Sequence, residues 1–289
     1  MPTKSKSKKS GETDIVEVPP AVKHRIEEKQ VQERVAIGAH VVHETIRREG
    51  EEELQRPSSA LAWSGLAAGL SMGFSLVAEG LLADHLPDRP WTPLISKLGY
   101  SVGFLIVVLG RQQLYTETTL TAVIPLLSRR NLQTALGVLR LWAVVFIANL
   151  VGTSIFAFCI GRIPIFPVHT YETLVQVSQG ATAGGFGVVF TRAIFAGWLI
   201  ALMVWLLPAA ESARVSIIVI ITYLIGLGHF NHVIAGSTKV LFLVVTGGES
   251  WEHFFLGFLV PSLLGNIVGG VSLVAFLGHA QVVAGKEGA

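Results

Sequence analysis

The chain has 289 residues, of which 51% are hydrophobic and only 15% charged. Soluble domains carry roughly 25% charged residues, so this composition excludes an ordinary soluble protein and reads as a polytopic membrane protein. The net charge of +2 says little about partners, and a single cysteine, Cys159, excludes an intrachain disulfide.

Residues 1–20 are rich in Lys, Ser and Pro and read as a disordered cytoplasmic tail. Residues 21–56 read as a cytoplasmic amphipathic helix, because Val31, Val35, Ala39, Val42 and Ile46 recur at helical spacing. That stripe suits packing on the membrane domain or on lipid headgroups; it also suits self-association around an oligomer axis. The first apolar stretch begins near Leu61, too deep in the chain for a cleaved signal peptide.

Six apolar blocks follow, at about 59–83, 98–128, 132–160, 191–210, 214–247 and 253–280. The second and fifth run to about 31 and 34 residues, and each is interrupted in its middle by polar residues, "RQQLYTE" and "GLGHFNH". A continuous helix of that length would reach about 45–50 Å, beyond the roughly 30 Å of a hydrocarbon core. Each block is therefore expected to be two half-helices joined by a short loop, which membrane depth tolerates only where protein or a water-filled cavity surrounds it. The interrupted blocks hold the middle position of each set of three, and this layout points to an inverted repeat with its permeation site at the repeat interface. The sequence thus predicts an all-α protein of six transmembrane helices with broken second and fifth spans.

The basic tail "KSKSKKS", Arg129, Arg130 and Arg214 fall on one side of such a layout, which puts both termini in the cytoplasm. The channel domain would span 57–281, with a short cytoplasmic tail at 282–289.

Polar residues inside these blocks are the candidate site. His229 and His232 stand three apart, which would suit a metal pair on one helix, but no third ligand lies nearby in sequence, and the glycines and Asn231 suggest a chain break instead. Arg111 lies near Glu117 in the second block, and Glu79 lies in the first. An unpaired buried guanidinium is costly, so Arg111 is expected to pair with Glu117 or Glu79; attracting anions and plugging the pore are its other readings. No cofactor, metal or nucleic-acid partner is expected, and no nucleophile–base pairing indicates an enzyme.

Three stretches, "NHVIAGS", "QLYTETTLTAVIP" and "PSLLGNIVGG", together with "AGLSMGFSL" and "GWLIALMVW", resemble the formate/nitrite transporter family, its YfdC-like branch most closely, over residues 57–281. The resemblance implies an aquaporin-like protomer with its own pore, a homopentamer in the inner membrane, and small monovalent anions of weak acids, or the neutral acids, as substrates with protons involved. It implies that His232 is the central pore histidine, beside a narrow apolar slit and coupling protons to the weak acid, and that Thr116 is the threonine of the first broken helix. Leu114 and Tyr115 would form the cytoplasmic constriction, and Asn266 would be the asparagine of the last span. Two departures stand out: Gly236 replaces an asparagine, and "GRQQ" replaces small or acidic residues. A neutral-solute or water channel, and a non-conducting membrane scaffold, are the rival readings.

Overall fold

The computed structural model describes residues 37–275, and every regular element among them is helical. The chain forms α1 (Ala39–Gln55), α2 (Ser58–His85) and α3 (Thr92–Leu109), the last opening with a short helix and a 3₁₀ turn. Next come α4 (Tyr115–Thr121), α5 (Val123–Arg129) and α6 (Leu132–Arg162). The second half holds α7 (Val168–Gln179), α8 (Phe186–Leu206), α9 (Arg214–Leu227), α10 (Val233–Thr246) and α11 (Val260–Val268), with π-helical turns on both sides of α11.

Among the described residues, five helical stretches are long and apolar enough to cross a membrane: Ser58–His85, Thr92–Leu109, Leu132–Arg162, Phe186–Ala209 and His253–Ser272. The α9 and α10 helices have 14 residues each, or about 21 Å, and neither reaches across a hydrocarbon core alone. Local chemistry sets the ends of the elements. Pro57 and Pro93 lie at the starts of α2 and α3, where a missing N–H costs nothing. Asn131 caps α6 by accepting from the Thr134 N–H at 2.8 Å. Gly247, at φ 83°, ends α10 in the left-handed conformation that favours glycine.

The fold departs from the sequence reading in two places. The stretch left between the third and fourth apolar blocks, 161–190, contains α7, whose Thr170, Leu174 and Ser178 are buried at every fourth position. The fourth block starts at Phe186, five residues before the expected start. Of the expected helix over 21–56, α1 covers the described part. Its Val42 and Ile46 pack against Leu120, Val123, Ile124, Ala201 and Val204, so this face of the stripe is covered within the chain itself. Val31 and Val35, the tail 1–20 and the segment 282–289 lie outside the described residues.

Tight helix pairing brings the core together. A Cβ on Gly69 of α2 would lie 2.2 Å from the Asn149 carbonyl oxygen of α6, and one on Gly197 of α8 would lie 2.4 Å from the Asn266 carbonyl oxygen of α11. Only a residue without a side chain lets these backbones approach so closely.

Candidate functional site

Two short loops form the centre. In the first, α3 ends at Leu109 and helix resumes at Tyr115; in the second, α9 ends at Leu227 and helix resumes at Val233. The backbones of the loops are alike. Arg111 has φ 49° and His229 has φ 51°, each directly after a glycine that closes the preceding helix. The residues that restart the helix, Leu114 and His232, are extended at φ −101° and −91°. Gln112 N–H donates to the Val107 carbonyl at 3.0 Å, and Phe230 N–H donates to the Ile225 carbonyl at the same distance.

A buried asparagine holds each loop. Asn266 accepts from the Val233 N–H at 2.8 Å and donates to the carbonyls of Asn231, at 2.9 Å, and Ala193, at 2.8 Å. Asn149 does the same for the first loop: it accepts from the Tyr115 N–H at 2.9 Å and donates to the carbonyls of Gln113, at 3.0 Å, and Gly65, at 2.7 Å. Sequence reasoning found Asn266 and missed Asn149. The signal was available, because "NLVG" at 149–152 matches "NIVG" at 266–269.

Between the loops lies the contact that joins the two halves. His232 and Thr116 are both buried, and the His232 Nε2 stands 2.7 Å from the Thr116 Oγ1. His232 Nδ1 accepts from the Ala235 N–H at 3.2 Å, so the neutral ring carries its proton on Nε2 and donates it to Thr116. The Thr116 hydroxyl proton is then free to donate. The Phe104 ring meets the imidazole edge to face at 5.0 Å. Leu114 is fully buried beside this contact, and Tyr115 packs on Phe146 and Trp142.

A cavity opens beside each loop. The one beside the first loop has about 270 Å³ and is lined by Arg111, Gln112, Gln113, Leu114 and Glu117 along with residues of α1 and α9. The one beside the second has about 30 Å³, room for about one water, and its lining includes His229, His232, Gly236, Lys97 and Lys239. No lining residue is shared between them. His229 is an exposed loop residue and His232 caps α10, so the two histidines do not share a helix face.

Glu79 and Arg111 do not meet the expectation placed on them. Glu79 is buried and bridges two lysines, with Lys239 Nζ at 2.7 Å from one oxygen and Lys97 on the other. Lys239 also lies over the Tyr100 ring, 5.3 Å from its centroid. Arg111 forms no ion pair among the described residues, and Glu117 Oε1 is buried with no hydrogen-bond partner. The premise of a desolvated guanidinium fails, because Arg111 is exposed at the mouth of the larger cavity. Lys239 was overlooked although it is the sole charge in the "VIAGSTKVLFLVV" run, and a charge in an apolar span is a functional candidate.

Comparison with known proteins fits this geometry. The profile of the formate/nitrite transporter family matches residues 40–280, and the chain belongs to that family of multi-pass membrane transporters and channels. It is 41% identical to the inner membrane protein YfdC of Escherichia coli over 271 residues, covering 93% of this chain and 87% of that protein. It is 27% identical to the formate channel BtFdhC of Bacillus thuringiensis, covering 81% of this chain and 92% of that one. A solved pentameric formate channel with formate bound superposes with a TM-score of 0.67 at 22% identity, covering 78% of this chain and 98% of that chain, and so shares the fold.

Proposed function

We propose that the protein passes small monovalent anions of weak acids, or their neutral acids, between the two cavities by way of Leu114 and the Thr116–His232 contact. The observation that carries this reading is the orientation of that contact. His232 donates to Thr116 Oγ1, so the threonine O–H keeps its own proton free for a group that enters between the loops. A bare anion there faces a desolvation penalty of several kcal/mol unless hydrogen bonds or a proton offset it. The smaller cavity supplies attraction at one end, since Lys97 and Lys239 outnumber Glu79 by one charge.

In this reading the two loops are the breaks of the second and fifth of six spans, related as an inverted repeat. Leu114 and Tyr115 form the constriction on the side of α1, Asn266 and Asn149 hold the loops, and α1 and both termini lie on the cytoplasmic side of an inner membrane. The assembly is a homopentamer, in keeping with the solved formate channel of the same fold, which is pentameric. Arg111 and His229 are the exposed cationic or titratable groups at the two mouths. Glu79 offsets one of the two lysine charges and does not touch substrate.

The test is flux in proteoliposomes containing the full chain, with formate, nitrite, chloride and water compared. Formate and nitrite should pass and chloride should not. A second reading, a neutral-solute or water channel, is favoured by the larger cavity, where four glutamates stand against three arginines and leave no positive excess to attract anions. Water permeation without any formate or nitrite flux would establish it, and no flux of any solute would leave the membrane scaffold.

A further inference from the structure

His232 is badly placed to trade a proton with a substrate. Its Nδ1 lone pair caps α10, its Nε2 proton is committed to Thr116, and the ring is 1% exposed. The larger cavity has what the histidine lacks. Glu117, directly after Thr116 on the first turn of α4, has a buried Oε1 without a hydrogen-bond partner. Gln112 Oε1 and Gln113 Oε1, lining the same cavity, are likewise buried without partners, as is the Arg214 Nε donor. Gln113 is only 7% exposed, so its open acceptor is no accident of a surface side chain. The charged groups facing Glu117 are Glu49, Glu52, Glu53 and Arg56 from α1 and its end, Arg111 from the loop and Arg214 from α9. Among the described residues none of these cations forms an ion pair with any of these carboxylates. Unpaired acceptors and an unpaired donor around one cavity suit a ligand that both donates and accepts. A protonated weak acid does so, through its O–H and its second oxygen.

We propose that Glu117 is the group that exchanges a proton with the weak acid at the α4 side of the slit. This deepens the transport reading and rests on it. An anion arriving in the larger cavity is held by the Arg214 Nε–H and takes the proton of the Glu117 carboxylic acid. The Glu117 O–H bond breaks, an O–H bond forms on the substrate, and the electron pair stays on the Glu117 carboxylate. The neutral acid, its O–H directed at the Gln112 and Gln113 oxygens, is then able to pass Leu114. Hydronium from the solvent on the cavity side returns a proton to Glu117 and becomes water, and the steps reverse for an acid arriving from the other side.

Formate is the probe, and the full-length protein is used throughout. Formate flux through proteoliposomes is measured across a pH series for wild type, Glu117→Gln, Glu117→Asp and His232→Asn. Glu117→Gln should flatten the pH profile and lower flux about tenfold or more, a modest value for a lost proton donor. Glu117→Asp should restore the profile, and His232→Asn should lower flux while keeping its shape. Infrared difference spectra supply a readout independent of transport. Adding formate to wild type should change a carboxylic-acid carbonyl band, and that band should be missing in Glu117→Gln and shifted in Glu117→Asp. A Glu117→Gln variant with the wild-type pH profile, or spectra in which formate leaves every carboxylic-acid band unchanged, would overturn the proposal. A wild type that passes no formate would sink the transport reading, while the infrared result would still decide whether Glu117 answers to a weak acid.

Discussion

At the scale of single residues, the site depends on two asparagines that bond only to backbone. Each makes three bonds in a fully buried position, so truncation strands one N–H and one loop carbonyl away from water, while the Gly65 and Ala193 carbonyls lie inside α2 and α8. Leaving such groups unsatisfied costs about 1–3 kcal/mol each where nothing relaxes, and we expect Asn149→Ala and Asn266→Ala each to lose about 2–4 kcal/mol in denaturant titrations of the detergent-solubilised protein. Equal losses would mark the loops as energetic equivalents; a neutral Asn149→Ala would show that its loop is held by other contacts. Arg111 makes the opposite case. Its φ of 49° is strained for any residue with a Cβ, and its exposed side chain makes no ion pair among the described residues to offset the strain. Arg111→Gly should therefore gain about 0.5–1 kcal/mol in the same titration. A loss on that substitution would mean that the guanidinium has a stabilising partner in the folded protein.

At the scale of elements, α1 is held to the first loop by a polar clasp beside an apolar contact. Glu53 accepts from the Gln113 Nε2 at 3.0 Å and from the Thr121 hydroxyl at 2.5 Å, while Gly50 lets α1 lie directly on the α4 backbone. Burial raises the Glu53 pKa above its ordinary value of 4.5, and the two hydrogen bonds offset this only in part. The folded state therefore holds the Glu53 proton more tightly than the unfolded state. The stability that this proton contributes is complete below about pH 4.5 and is lost as pH rises through the raised value. Hydrogen exchange of the α1 amides should accordingly quicken as pH rises beyond its intrinsic dependence. Glu53→Gln, whose oxygen can still accept from Gln113 while its NH2 donates to the Thr121 hydroxyl, should remove that excess. Glu44 behaves in the reverse sense: bonds from Arg47 and Arg48 hold its carboxyl down to about 2. Its contribution is present above pH 4.5 and fades as pH falls toward 2, and it is small because the pairs lie in solvent.

At the scale of the whole molecule, one carboxylate joins two consecutive helices to a third far along the chain. Glu79 on α2 meets Lys97 on α3 and Lys239 on α10, and all three are largely buried. Removing one partner of a buried pair strands the other, at a cost of about 3–5 kcal/mol, whereas apolar replacement of both is often neutral. Lys239→Met should fall at the lower end of that range, since Lys97 still faces Glu79. Adding Glu79→Leu to it should cost less than Glu79→Leu does in the wild type, because it then strands one lysine instead of two. A double-mutant cycle by thermal unfolding in detergent checks this, and additive losses would mean that the contact is energetically idle.

The sequence by itself determined the membrane class, the all-helical character and the family. Hydrocarbon rewards composition and span length directly, and local motifs such as "PSLLGNIVGG" are contiguous in the chain. It also marked the two polar interruptions, because a charge or amide in an apolar run is visible without knowing its neighbours. Only the tertiary structure decided what those groups touch. Pairing of Glu79 with Lys239 spans 160 positions, and that of Thr116 with His232 spans 116. Nothing in local spacing ranks Lys239 above Arg111 as a partner for Glu79. Asn149 was legible only as half of a repeated "N-x-V-G" whose meaning appears once both asparagines are seen holding a loop. Arg111 looked buried because its neighbours in sequence are apolar, yet α1 and α9 leave an open cavity at that point, and exposure is a property of packing, which no single stretch of chain contains.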